Sequence, residues 1–192
     1  MKFQQHQEVA KKYGVGTSDW MNLEVGLNKL RIVSEFEDFG THFQKAIKKS
    51  TICIGKENCI LCQEGDKSKV QFLGWVIDRK DGNLKLLRIG YQIFKQLGLL
   101  GQSDQYKFDA IPTYDITITR TGTGLETEYT IMPDRQDTLL TEDEKEHIAS
   151  LKSSIQIIEN MKAKVNLNLG YDQKLEPVID EDEEINVADI PF

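Results

Sequence analysis

Several things are scarce in this chain of 192 residues, and each scarcity removes a class of explanation. No apolar run approaches the ~20 residues that a membrane-spanning helix requires. The opening Met-Lys-Phe-Gln-Gln-His-Gln-Glu has no apolar signal-peptide core, so a soluble, intracellular protein is expected. There is no glycine-rich phosphate loop, no nucleophile–histidine pair and no group of carboxylates at metal-binding spacing. Hydrolysis and group transfer are therefore not indicated, and no catalytic residue is expected. Cysteine is limited to three residues, all between Cys53 and Cys62. An odd, clustered set cannot build a disulfide framework, and in a reducing compartment it points to metal.

Positive charge is also short overall, with a formal net charge of −7. The deficit is local. From Asp172 to Phe192 there are eight acids against the single base Lys174, whereas the rest of the chain carries 23 of each sign. A neutral body can still have a basic face, and a charged arm beside it suits interaction with partners. The expected organisation is one folded domain over residues 1–165 and an acidic, flexible arm over 166–192.

What is present along the body is mostly β-type patterning. Asn28 to Phe36 alternates as a strand. Val70–Arg79 and Leu84–Ile89, separated by the turn residues Lys80-Asp81-Gly82-Asn83, predict a hairpin. Tyr91–Leu97 has the spacing of a short amphipathic helix. Thr113–Thr121 and Glu128–Met132 form a second hairpin around Gly122-Thr123-Gly124, ending at Pro133. Thr141-Glu-Asp-Glu is a capping box for a helix to about Met161, with Ile148, Leu151, Ile155 and Ile158 on one stripe. The order strand, insertion, strand, strand, helix, strand, strand predicts a mainly β protein: a five-stranded OB-fold barrel whose insertion, about residues 40–65, is a zinc knuckle.

The insertion reads Cys53-Ile-Gly-Lys-Glu-Asn-Cys59-Ile-Leu-Cys62, and Gly55 and Asn58 supply the turns that let cysteines converge on one ion at ~2.3 Å. His42 is the expected fourth ligand, with His6 in reserve, for one structural zinc per chain. Three ordinary core cysteines are the bland alternative. A deaminase-type catalytic zinc lacks support, because Gln44 stands where a proton-shuttling glutamate would be needed and no proline precedes Cys59.

Cations and aromatics interleave across the predicted strands, as single-strand binding requires. Lys29 and Arg31 lie on the first strand; Trp75, Arg79, Lys80, Lys85 and Arg88 are on or beside the first hairpin. Tyr114, Arg120 and Tyr129 belong to the second, while Lys45, Lys48 and Lys49 precede the cysteines and Lys56 sits among them. Any one of the aromatics fits a core position equally well. At the far end, Asp189-Ile190-Pro191-Phe192 follows an acidic run, a form suited to a partner pocket that takes the Phe192 ring while a basic rim holds the carboxylates.

That ending resembles the C-terminal tip of bacterial single-stranded-DNA-binding proteins, which docks onto replication, recombination and repair partners; it differs in having Val187 and Ala188 where the bacterial tip has more aspartates. His42, Cys53, Cys59 and Cys62 resemble the one-histidine, three-cysteine set of phage single-stranded-DNA-binding proteins of the T4 type, which carry a zinc subdomain inside an OB-fold; the interval from Cys53 to Cys59 is shorter here. These resemblances imply a non-enzymatic protein that coats single-stranded DNA in a bacterial cytoplasm or phage-infected cell and recruits partners through its tail. A zinc-ribbon adaptor for protein assembly is the alternative.

Overall fold

The computed structural model describes residues 20–44 and 49–172. Within them the chain runs β1 (Trp20–Met21), β2 (Gly26–Ile32), β3 (Glu37–Gln44), β4 (Lys49–Ile52), α1 (Ile60–Gln63), β5 (Lys69–Asp78), β6 (Asn83–Gly90), α2 (Tyr91–Gly101), β7 (Tyr114–Thr121), β8 (Glu128–Asp137), α3 (Glu142–Ala149) and α4 (Ser154–Asp172). The fold is mainly β, an open sheet of eight strands with helices attached.

β5 is its spine. One edge pairs antiparallel with β6 from Gln71↔Gly90 to Asp78↔Asn83. The other edge is shared: its first half pairs with β3 (Glu37↔Leu73 to Thr41↔Lys69) and its end with β2 (Leu30↔Asp78 to Ile32↔Val76). β2 also pairs with β7, and β7 with β8. Where β2 hands over to β3, Phe36 lies across β5 at Gly74; a Cβ there would sit 2.9 Å from the ring, so glycine is required for the close approach.

Both faces of the β5–β6 ladder are buried, which explains its long apolar runs. On one face Leu30, Phe72, Val76, Leu87, Ile89, Ile93 and Ile116 form the main cluster, closed by α2. On the other, Phe39, Ile52, Leu73 and Leu86 pack against Ile158 of α4, with Trp75 and Met161 alongside. Each fully buried aliphatic side chain contributes roughly 1.5–3 kcal/mol, so α4 is part of the folded unit.

The expected hairpins and the helix after the first of them are present. The closed five-stranded barrel is corrected. Among the described residues β6 and β8 do not pair, because β1 takes the edge of β6 that a closing strand needs (Trp20↔Leu86, Met21↔Leu87, parallel). The added strands are β1 and the pair β3–β4, which occupies the stretch read as the approach to the cysteines. The first strand stops at Ile32 rather than Phe36. β8 continues through Pro133 to Asp137, past a register shift opposite Tyr114/Ile116; as an edge strand it tolerates the missing N–H.

The capping box is in place: Glu144 N–H donates to Thr141 Oγ1 and Thr141 N–H to Glu144 Oε2. The single C-terminal helix is corrected to two, broken at residues 150–153, and α4 runs on to Asp172. Of the predicted stripe, Ile158 is buried and Ile155 exposed. The acidic arm beyond residue 172, with Asp189, Ile190, Pro191 and Phe192, lies outside the described residues, as do His6, Lys45 and Lys48. No helix among the described residues is long and apolar enough to cross a membrane.

Candidate functional site

The four residues singled out for metal converge. The ligand atoms of His42, Cys53, Cys59 and Cys62 all lie within 4.8 Å of one another. Three segments deliver them: His42 comes from β3, Cys53 directly follows β4, and Cys59 and Cys62 flank the start of α1. Gly55, at φ 104°, turns the chain so that the amides of Asn58 and Cys59 donate to its carbonyl, a backbone that L side chains rarely adopt. Cys53 is tied down by its own N–H to Gly40 O at 2.8 Å.

Cys53 Sγ lies 3.5 Å from Cys62 Sγ, and Cys62 Sγ 3.3 Å from His42 Nε2. Tetrahedral zinc with ~2.3 Å thiolate bonds sets ligand atoms about 3.8 Å apart, so these two contacts would open slightly, and wider ones within the 4.8 Å limit would close, in a filled site. Burial works to raise the Cys59 thiol, but the Cys62 amide and the thiols of Cys53 and Cys62 outweigh it and hold the group below its ordinary value. Cys62 is pushed up to about 12 by burial and by the thiols of Cys53 and Cys59. Packed thiols resist ionising together; a divalent cation removes that conflict and takes them as thiolates.

His42 is oriented from behind. Its side chain is fully buried, and Nδ1 lies 2.8 Å from Asp66 Oδ2. With the proton on Nδ1, Nε2 keeps its lone pair on the cysteine side, the arrangement that metal-bound histidines adopt. The cluster can hold a metal ion such as zinc. Asp66 was not anticipated; its only sequence signal is position, four residues beyond Cys62.

The residues proposed for nucleic acid divide sharply. Arg79 makes a two-pronged pair with Asp115 (2.9 and 3.0 Å) and a further bond to Glu144. Burial alone would depress its guanidinium, yet the two carboxylates raise it above its usual value. Lys29 is 2.8 Å from Asp134, Lys80 2.9 Å from Glu24, and Lys85 2.7 Å from Asp78 and 2.6 Å from Asp81. Arg31 is buried, with Nη1 3.8 Å from Asp115 and no hydrogen-bond partner.

Two of the aromatics are committed to packing. Tyr114 sits in the main cluster, its hydroxyl donating to Tyr106 O at 2.7 Å, and burial pushes its pKa up to about 12. Trp75 packs beside α4 and donates through Nε1 to Lys152 O at 2.9 Å. Tyr114 is buried and Trp75 half-buried, because the apolar neighbours that share their strand parity also share their core. Lys49 is exposed at the start of β4, away from these pairs.

Arg88, Arg120 and Tyr129 behave differently. They come from β6, β7 and β8 and meet at the open seam, lining a cleft of ≈470 Å³ with Trp20 and Met161. Arg120 and Tyr129 are register partners across β7–β8. Arg120 Nη1 donates to Leu23 O at 2.8 Å, while its Nε is buried without a hydrogen-bond partner among the described residues. Among the described residues neither Arg88 nor Arg120 has a carboxylate within ion-pair distance. Tyr129 also lines a second cavity of ≈440 Å³, with Lys69, Val70, Gly90 and Tyr91. Trp20, Lys69 and Tyr91 were missed, since only the seam gathers them. Compared with known proteins, the chain matches no family model, no curated protein and no solved structure.

Proposed function

We propose that this chain is a non-enzymatic single-stranded-DNA-binding protein. In this reading the sheet is an OB-type barrel left unclosed between β6 and β8, the His42/Cys53/Cys59/Cys62 cluster carries one structural zinc, and the acidic arm ending in Phe192 recruits replication, recombination or repair partners. When bound, the zinc supplies a cross-link between β3, β4 and α1, a loop too small to hold itself by burial alone. The observation that carries the reading is the seam cleft, where two guanidiniums without carboxylate partners among the described residues share a cavity with Trp20 and Tyr129. Phosphates need such cations and bases need such rings. The order β2, insertion, β5, β6, α2, β7, β8 supports it, as does the pairing of β2 with both β5 and β7.

The test is tryptophan fluorescence during titration with oligo-dT. Trp20 and Trp75 both pack against the cluster that α4 covers, but of the two Trp20 is the one that lines the cleft. Quenching should persist in Trp75→Phe, vanish in Trp20→Phe, and weaken with added salt as released counterions lose their drive. A protein whose affinity for oligo-dT is undetectable at low salt does not have this function. The carboxylate-paired cations of the first hairpin favour one other reading, a protein-interaction adaptor built on the metal loop and tail; it predicts no quenching at all.

A further inference from the structure

The seam contains two cavities that meet at one residue. Tyr129 lines both the ≈470 Å³ cleft that holds Arg88 and Arg120 and the ≈440 Å³ cavity bounded by Val70, Gly90 and Tyr91. Its strand position is fixed from two sides. Arg120 is its register partner on β7, and Gln96 of α2 donates through Nε2 to its carbonyl at 3.0 Å. The two compartments differ in chemistry: one has the guanidinium pair, while the other sets the exposed Tyr91 ring, Val70, Ile93 and a glycine beside Lys69, Gln71 and Gln92.

Gly90 sits at the junction of β6 and α2 with φ −86°, a conformation open to any L residue. A Cβ built on it would meet only Gln71 Nε2, at 3.9 Å. The backbone does not demand glycine there, so its absent side chain keeps space in the second cavity. Volumes near 450 Å³ suit ligands of nucleotide size.

We propose that the seam seats two successive nucleotides astride Tyr129, with the phosphate that joins them held by Arg88 and Arg120 and one base lodged against Tyr91 over Gly90. A tyrosine ring offers a base two faces, and stacking is indifferent to which base it is. Paired guanidiniums suit the tetrahedral oxygens of a phosphodiester. This inference rests on the single-strand reading and adds a place for the base and a place for the phosphate.

The experiment uses the full chain and an oligo-dT of about eight nucleotides, within the span that one OB-fold occupies. Gly90→Leu fills the base seat without removing any group. It should weaken binding ~tenfold, the effect of losing one stacked base, with an unchanged salt slope. Tyr91→Ser, at an exposed position that does not endanger folding, should do the same. Arg88→Gln should instead flatten the slope of log affinity against log salt by about 0.7, the signature of one lost phosphate contact on a single strand.

Normal affinity in both Gly90→Leu and Tyr91→Ser overturns the base seat, and a normal slope in Arg88→Gln overturns the phosphate clamp. If all three bind as the parent protein does, the single-strand reading survives and its site lies elsewhere. If the parent chain itself fails to bind oligo-dT, the broader reading falls and takes this one with it.

Discussion

Two groups of cations on this molecule look equivalent in sequence and are opposites in space. At the turn end of the sheet, Arg79, Lys80 and Lys85 each contact a carboxylate, and Lys29 and Arg31 gather round Asp115 and Asp134. At the seam, Arg88 and Arg120 have none among the described residues. The first group is spent on holding β2, β5, β7 and α3 together. The second, in the proposed reading, is left for an anion from outside. A count of basic residues cannot separate the two, because the sign of the local potential depends on which acids the fold brings within a few ångströms. Asp115 and Glu144 lie far along the chain from Arg79, and only the packing of β7 and α3 unites them.

The largest expected consequence is in stability. Asp115 is almost wholly buried between Arg79, Arg31 and Lys29. Asp115→Ala should therefore cost about 3–5 kcal/mol, since it strands buried positive charge. Arg88→Ala, at an exposed site without an ion pair, should stay within about 0.5 kcal/mol. Urea denaturation of both variants checks the contrast, and equal midpoints would mean that the turn-end network is not structural.

The metal cluster inverts the seam's situation, having donors in excess and needing a cation. If Asp66 holds His42 in the metal-binding tautomer, Asp66→Asn should lower zinc affinity ~10–100-fold while leaving about one zinc per chain at saturation. Competition with a chromophoric chelator measures this. Cys59→Ser should abolish stoichiometric zinc, and parent-like affinity in Asp66→Asn would reduce its contact with His42 to an ordinary surface bond.

For binding, matched charge reversals sharpen the comparison directly. Arg88→Glu should cut oligo-dT affinity about tenfold at low salt, and Lys80→Glu, at a cation already facing Glu24, by no more than about twofold. A greater loss from Lys80→Glu would move the nucleic-acid face to the turn end of the first hairpin, around Arg79, Lys80 and Lys85.

The sequence was most informative where the determinant is local. Both hairpins were legible from alternation and turn residues, the Thr141 box from its spacing, and the metal set from three clustered cysteines and one histidine. Non-local features were not legible. β3 and β4 were not expected as strands, because glycine and polar residues interrupt their alternation; β3 is placed by pairing with β5, and β4 by pairing with β3. Barrel closure failed on β1, two residues long, whose place on β6 no period could reveal. Tyr114 and Trp75 looked as suitable for stacking as Tyr129; Tyr114 is buried in the main core, Trp75 and Tyr129 are each half-buried against a core cluster, and the cavities of the seam set Tyr129 apart.

The smallest effect concerns the hinge between the charge network and α3. Glu144 lies 2.8 Å from the Thr141 N–H and also accepts from Arg79. Partial burial works to raise its pKa, but the Thr141 amide and the Arg79 charge prevail, and the carboxyl is held below its ordinary value. A depressed folded pKa means that the stabilisation is fully present above the unfolded value, about 4.3, and is lost as pH falls through the lower folded value. Glu144→Gln isolates that charge, because glutamine can still close the capping box. It should cost about 1 kcal/mol at neutral pH, and the gap from the parent protein should shrink as the pH drops below about 4.3 and vanish once the parent's carboxyl is protonated. No gap anywhere from pH 7 to pH 3 would show that Arg79 needs only a hydrogen-bond acceptor from α3; the charge of Arg79 would then be balanced by Asp115 alone.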